Sequence, residues 1–313
     1  VLEFSDRDIQ KNYKNYNDFN GSKTLNSKLV KTCNNYKPDV LVLGHADLIH
    51  NDTLGYLKNC MPHLKVAQWF LDPLNKDGPD YFRNKKRILD KSEFVDTNFI
   101  TTSPDVLNFL SKETVNYFIP NPTDPSFEKL NNFDHYCYND VFFALSHGVH
   151  RGILKYSAND NREKFILKLV SSLSNIKFDI YGMNNIQPIW ADQFISTISN
   201  SKMGLNLSRG KPIKYYSSDR IAQIIGNGLV TLIDEKTYYN DFFNSSEMIF
   251  YRNVSDLSEK ILKISSDEKL RKSIARNGKK KYCKYFNSNL VADFIINKTL
   301  DINKNKKYLW HNG

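Results

Sequence analysis

The chain has 313 residues, with 40 per cent hydrophobic and 25 per cent charged, which excludes a disordered polymer and is enough for two cores. No apolar run approaches the roughly 18–20 residues that cross a bilayer. Its net charge of +10 favours anionic partners, although a composition crowded with Asn, Lys, Ile, Tyr and Phe supplies part of that charge without function. The lysines are dispersed and no nucleic-acid-binding pattern accompanies them, so nucleic acid is not the expected partner. Cys33, Cys60, Cys137 and Cys283 form no CxxC pair, which argues against a zinc site or a disulfide framework and for a reducing, cytoplasmic setting.

In chain order, Val1–Phe4 reads as a strand fragment and 5–21 as a polar loop. Ser22–Tyr36 has helical periodicity. Asp39–Leu43 (DVLVL) is a continuous apolar strand of the kind buried on both faces of a parallel sheet. Asp52–Cys60 is a short helix, Lys65–Phe70 a strand, and Tyr81–Lys91 a basic helix. Asn98–Thr102 is a strand, Ser103-Pro104-Asp105 opens a helix, and Val115–Ile119 is the last strand of this half. Pro120, Pro122 and Pro125, followed by polar 131–139, mark a boundary.

The second half repeats the alternation. Its strands are Val141–Ser146, Phe178–Tyr181, Met203–Ser208, Leu229–Ile233 and Met248–Tyr251. Its helices are Arg162–Leu173, Pro188–Ser199, one opened by Ser217 or Ser218, Ser255–Ile264 and Asp267–Phe286. A helix over Asn287–Leu300 and a ragged tail over 302–313 finish the chain. The pattern predicts an α/β protein of two doubly wound domains, 1–120 and 121–286, then a helix over 287–301 and a tail. Ligands of such sheets bind outside the carboxyl ends of the strands, so the cleft between the domains is the expected site.

Two loops suit an anion. One is His147-Gly148-Val149-His150-Arg151-Gly152, where glycines allow close approach and Arg151 offers a bidentate fork. The other is the loop Arg209–Ser217, with Arg209, Lys211, Lys214, Tyr215 and Tyr216, where Ser217 or Ser218 can cap the helix that follows. In the first half, Gly44-His45 and Asp72-Pro73 stand just past strand ends, where His45 and Asp72 are candidates for acid–base work. The bland alternatives are a strand-end hydrogen bond for His45 and a turn cap for Asp72.

Four local motifs carry a family resemblance. Phe118-Ile-Pro-Asn-Pro-Thr-Asp124 with Phe127, Asp179-Ile-Tyr-Gly182, Arg220-Ile-Ala-Gln-Ile-Ile-Gly-Asn-Gly-Leu-Val230, and Asp256-Leu…Leu270-Arg271…Ala275…Gly278 occur in this order. The set resembles the GT-B glycosyltransferases, within them the group 1 (family 4-like) enzymes and their CgeB-like branch. The resemblance implies two Rossmann-like domains, an acceptor side (1–120) and a nucleotide-sugar side (121–286). It implies sugar transfer from a nucleotide-diphosphate donor to a hydroxyl of a cell-surface polysaccharide, lipopolysaccharide or lipid-linked acceptor. The diphosphate would be held by Arg151, Lys211 and Lys214 without a metal or other cofactor, the ribose by Gln223, and the base would border Gly182-Met183.

Departures from the family pattern are also expected to matter. Tyr215 and Gln223 stand where the family's paired glutamates fall, which puts the usual retaining mechanism in doubt. The family's first βα unit is not seen, and a further roughly 25–40 residues are expected before Val1. Helix Tyr81–Lys91 is either a solvated face or a peripheral contact at the inner membrane surface. The Asp6-Arg7-Asp8 triplet reads as a chance match to a metal-binding D-x-D, and Arg209-Gly210-Lys211-Pro212 as a failed P-loop. A non-catalytic nucleotide-sugar-binding module and a nucleotide-sugar epimerase on the same fold remain the alternatives.

Overall fold

The structure, a computed structural model, describes residues 1–146, 149–150, 153–154 and 161–311. The first domain holds a parallel sheet of β1 (Val40–Leu43), β2 (Lys65–Phe70), β3 (Thr97–Ile100) and β4 (Val115–Phe118), adjacent in chain order. Helices α1 (Asp6–Asn12), α2 (Ser22–Tyr36), α3 (Asn51–Cys60) and α4 (Tyr81–Leu89) accompany it. Leu25, Leu29 and Cys33 of α2 recur at helical spacing and bury against Leu54 and Leu57 of α3.

Four expectations change here. Val1–Phe4 forms no strand, and the expected loop contains α1, whose single apolar residue, Ile9, gave no periodic signal. β1 is an edge strand, with Val42 45% exposed, so it is not buried on both faces. A groove of about 830 Å³ runs along it, lined in part by Leu2, Tyr36 and Ile296. The helix expected from Ser103 is a single 3-10 turn, Pro104–Val106.

The second domain orders its parallel strands β11-β10-β9-β5-β8: β5 (Asn139–Ala144), β8 (Phe178–Tyr181), β9 (Ser201–Asn206), β10 (Val230–Asp234) and β11 (Ile249–Tyr251). A short antiparallel pair, β6 (Val149–His150) and β7 (Ile153–Leu154), follows β5 where a loop was expected. The helices are α5 (Asn161–Ser171), α6 (Ala191–Ile198), α7 (Arg220–Gly226), α8 (Val254–Ser266) and α9 (Glu268–Tyr285). Side-chain caps set two of these starts: Asn253 accepts from Asp256 N–H and Asp267 from Leu270 N–H. The chain leaves β5 for β8 on one side and returns to β9 on the other. That reversal opens a crevice at the carboxyl end of β5.

The final helix, α10 (Ser288–Leu300), leaves the second domain and packs on the first sheet. Its Phe294 ring lies 5.9 Å from Phe99 and 5.5 Å from Tyr117. The tail after it is not ragged. Tyr308 and Trp310 are buried, and Trp310 meets Phe286 at 5.5 Å and Phe294 at 5.6 Å. The Pro-rich boundary is packed as well: Asn121 is 4% exposed, and its side chain donates to the Ser217 carbonyl.

Candidate functional site

Two facing regions and a loop between them make the site. At the carboxyl end of the first sheet, β1 delivers His45 and β2 delivers Asp72. The structure brings these two predicted residues together, with Nε2 of His45 3.8 Å from Oδ2 of Asp72. Arg87, from α4, completes the group. Its Nη1 donates to Asp72 at 2.9 Å and lies 3.2 Å from His45 Nδ1, while its Nε lies 2.7 Å from Asp47. The imidazole stacks on Phe70 with centroids 5.8 Å apart and planes 10° from parallel.

Arg87 was missed in sequence because α4 reads as a basic surface helix. Its buried residues are Tyr81, Asn84 and Ile88, which turns Arg87 toward the strand ends. Of the neighbouring cations, Arg83 pairs with Asp80 at 2.8 Å, Lys85 lies over the Phe109 ring at 5.3 Å, and Lys91, just past the helix, donates to the Ile49 carbonyl at 2.6 Å.

The second region is a pocket of about 680 Å³ at the carboxyl end of β5, within the range of small-ligand sites. Leu145, Trp190, Phe194, Arg220 and the predicted Gln223 line it, with Phe127 and Glu128 from the hinge. Gln223 is half-buried on α7. Arg220, absent from the predicted set, donates to the carbonyls of Ala144 and Leu207 and to Ser218 Oγ, and its guanidinium lies over the Phe143 ring at 5.2 Å. Those anchors fix its fork at the pocket rim. Trp190 is 57% exposed there. Burial raises the Glu128 carboxyl above its ordinary range.

Several predicted contacts go elsewhere. Met183 is buried in the second-domain core and does not border the pocket. Gly182 has φ +77 and sits so close to the Leu145 carbonyl that a Cβ would overlap it, which is a packing reason for glycine. Neither Ser217 nor Ser218 caps α7, whose flanking residue is Asp219. Ser217 Oγ lies 2.9 Å from the Tyr239 hydroxyl, and Ser218 Oγ donates to Asn206. Tyr215 donates to Asp241 at 2.8 Å, and burial together with that bond pushes its hydroxyl up to about 12. His147, Gly148, Arg151 and Gly152 lie outside the described residues, as does the side chain of His150.

The loop after β9 joins the two regions by ion pairs rather than opening toward the pocket. Arg209 pairs with Asp80 at 2.7 Å, Lys211 with Asp77 at 2.9 Å, and Lys214 with Asp105 at 2.7 Å, all carboxylates of the first domain. Lys211 and Lys214, predicted to hold phosphate, are thereby engaged across the cleft together with Arg209. Sequence order hid this, because their partners lie more than a hundred residues earlier. Buried Tyr216, on the same loop, has its hydroxyl raised by burial first and then by the charges of Asp72 and Asp219. It therefore stands between the two regions. Asp6 and Asp8 of the D-x-D triplet lie in α1, and no group of three or more metal-binding side chains occurs among the described residues.

Residues 162–297 match the sequence model of the glycosyl transferase-like family. In structure the chain is similar to TarM of S. aureus, at 13% identity over 87% of this chain and 58% of TarM, with a TM-score of 0.60. It is similar to HepE of Anabaena in complex with UDP, at 11% identity over 89% of this chain and 82% of HepE, with a TM-score of 0.57. Sucrose-phosphate synthase from Thermosynechococcus elongatus gives 10% identity over 88% of this chain and 77% of that one, with a TM-score of 0.53. No curated protein matches the chain in sequence. The shared architecture is the GT-B fold, two Rossmann-like domains, and the chain spans 58% of the length of TarM.

Proposed function

We propose that this GT-B chain, glycosyl transferase-like over its second half, moves a sugar from a nucleotide-diphosphate donor to an acceptor hydroxyl. The observation that carries the reading is the β5 pocket, which combines a topological switch point, an anchored guanidinium and a polar wall residue in one crevice. Gln223 would hold the ribose, since an amide both donates to and accepts from hydroxyls. Trp190 would lie against the base. Arg220 would face the diphosphate and stabilise the charge that develops as it leaves, so the reading needs no metal. His45 and Asp72 would face the acceptor.

Complexes of HepE with UDP and with UDP-glucose make uridine donors the first to try. We further propose that the acceptor is a cell-surface polysaccharide, lipopolysaccharide or lipid-linked glycan reached from the cytoplasm. TarM solved with fondaparinux and α-GlcNAc-glycerol is in keeping with a glycan acceptor. Among the described residues no helix is long and apolar enough to cross a membrane, and a peripheral contact at the inner membrane face is part of this proposal.

The test is thermal stability against UDP-, GDP-, ADP- and CMP-sugars, with and without EDTA. A ligand that binds only the folded state raises the melting temperature by mass action. A rise with one nucleotide class that survives EDTA is the expected result. A rise abolished by EDTA would overturn the metal-free reading. No rise with any donor would move the assignment to a module that does not use nucleotide sugars.

A further inference from the structure

We infer that Asp72, not His45, takes the proton of the acceptor hydroxyl, and that Arg87 is the positioning residue that divides these roles. The inference rests on the glycosyl-transfer reading of the same site. A guanidinium carries only N–H donors. Arg87 Nη1 lies 3.2 Å from His45 Nδ1, so Nδ1 must accept, and the neutral ring then carries its proton on Nε2. The same Nη1 donates to Asp72 at 2.9 Å, and Nε faces Asp47 at 2.7 Å, which fixes the guanidinium from two sides. Phe70 holds the imidazole plane from below.

The remaining distance is the informative one. Nε2 of His45 and Oδ2 of Asp72 are 3.8 Å apart, too far for a direct hydrogen bond. A hydroxyl oxygen about 2.8 Å from each atom spans that gap. It would accept from Nε2–H and donate its own proton to Asp72. Both side chains are about a third exposed, which leaves the gap open to a substrate. In the transfer step the hydroxyl oxygen bonds to the anomeric carbon of the donor sugar. The bond from that carbon to the phosphate oxygen breaks, its electron pair leaves on the nucleoside diphosphate, and the proton passes to Asp72. His45 has no lone pair to take that proton, because Nδ1 is engaged and Nε2 is protonated. The charged and titratable groups around the pair come from several elements: Asp47 after β1, Arg87 on α4, Arg7 on α1 at 4.0 Å from Asp47, and the neutral Tyr216 hydroxyl from the second domain.

Two measurements test this on the full chain. Imidazole nitrogen NMR of protein labelled at its seven histidines, with H45Q assigning the resonance, reads the tautomer without any substrate. The expected result is Nε2–H in the wild type and a mixture of tautomers in R87M, which a purely structural arginine would not produce. A wild-type Nδ1–H ring overturns the inference.

The second measurement is nucleotide release from the donor selected by the thermal screen, with UDP-glucose as the starting probe. D72N falls by about 10²–10⁴-fold. H45A falls by about a hundredfold, whereas H45Q, which keeps a side-chain N–H donor, stays within about tenfold of wild type. R87K recovers part of what R87M loses. H45Q as inactive as H45A, together with an active D72N, would make His45 the base and overturn the assignment. A wild type that turns over no nucleotide sugar counts against the transfer reading itself, and the tautomer measurement then decides the role of Arg87 alone.

Discussion

Arg209 in the second domain donates through Nη1 to Asp80 in the first at 2.7 Å, and this pair closes the cleft beside the candidate site. Lys211–Asp77 and Lys214–Asp105 extend it, and Asn75 donates to the carbonyls of Arg209 and Lys211 at 3.2 Å. Most of these groups are solvent-accessible, so each pair contributes about 0.2–1 kcal/mol and is screened by salt. The R209Q/K214Q double variant is expected to keep its melting temperature within about 2–4 °C of wild type. It is also expected to show a larger radius of gyration by X-ray scattering, and wild type in high salt should behave the same way. Scattering unchanged in both cases would show that apolar contacts of Ile213 with the Leu74 cluster hold the domains without the ion pairs.

The donor pocket makes a spectroscopic prediction. Of the three tryptophans, Trp190 is the exposed one, at 57%, and it lines the pocket. UDP should quench its emission, and W190F should abolish the signal. Q223A should weaken UDP binding by about tenfold, the loss of roughly one hydrogen-bonded contact. Unchanged affinity in Q223A would remove Gln223 from the ribose site.

Arg271 is 0% exposed and donates to the carbonyls of Asn132 and His135 and to both oxygens of Glu268. R271M removes these bonds and leaves the buried Asn132 carbonyl with only the weak Cys137 thiol as a partner, which should cost about 1–3 kcal/mol in urea unfolding. The Arg271 hydrogen bond is the main cause that holds Glu268 below its ordinary 4.5, against some opposing burial. A carboxyl lowered in the folded state contributes stability above its unfolded value, and that contribution is lost as pH falls through the folded value. Stability of the wild type should therefore drop below about pH 4.5, and E268Q should remove part of that slope. Equal slopes in both proteins would show that Glu268 is not linked to folding.

Trp310 sits 7% exposed against Phe286 and Phe294. W310A should cost about 3–5 kcal/mol, as for other buried aromatic deletions. His311 beside it is lowered by burial and by Lys298, so its contribution is present above about pH 6.5 and lost on acidification. Chemical unfolding at pH 7.5 and 5.5, with H311N as control, reads both effects.

Gly278 on α9 packs so tightly on the Glu247 carbonyl that a Cβ would overlap it. Gly→Ala in a helix ordinarily stabilises by about 0.5–1 kcal/mol. Here G278A should instead cost about 1–3 kcal/mol, because backbone must move. A stabilised G278A would show that the contact between α9 and the turn before β11 yields easily.

The elements most legible in the sequence were those whose local chemistry is self-contained. Lys65–Phe70 and Phe178–Tyr181 are continuous or bounded apolar strands, and their predicted ranges match the structure residue for residue. Asp267 and Asn287 announce α9 and α10 as side-chain caps. By contrast, α1 carries too little apolar surface to show a period, and the tail 302–311 gains order from Phe286 and Phe294, which local sequence does not reveal. Gln223 at the pocket wall, and His45 and Asp72 past their strand ends, were reached from their places in the predicted elements, whereas the meeting of His45 with Asp72 was not. Arg87 and Arg220 were not reached either, since a surface arginine and a site arginine look alike until their neighbours are known.

The alternation of strands and helices, the order of the motifs and the two polar strand ends were determined by the sequence itself, because hydrophobic periodicity and caps act over a few residues. Which charges meet was decided only by the tertiary structure. Coulombic pairing and hydrogen bonding act through space, and the fold sets Arg209 against Asp80, Arg87 against His45 and Asp72, and the C-terminal aromatics against the first sheet.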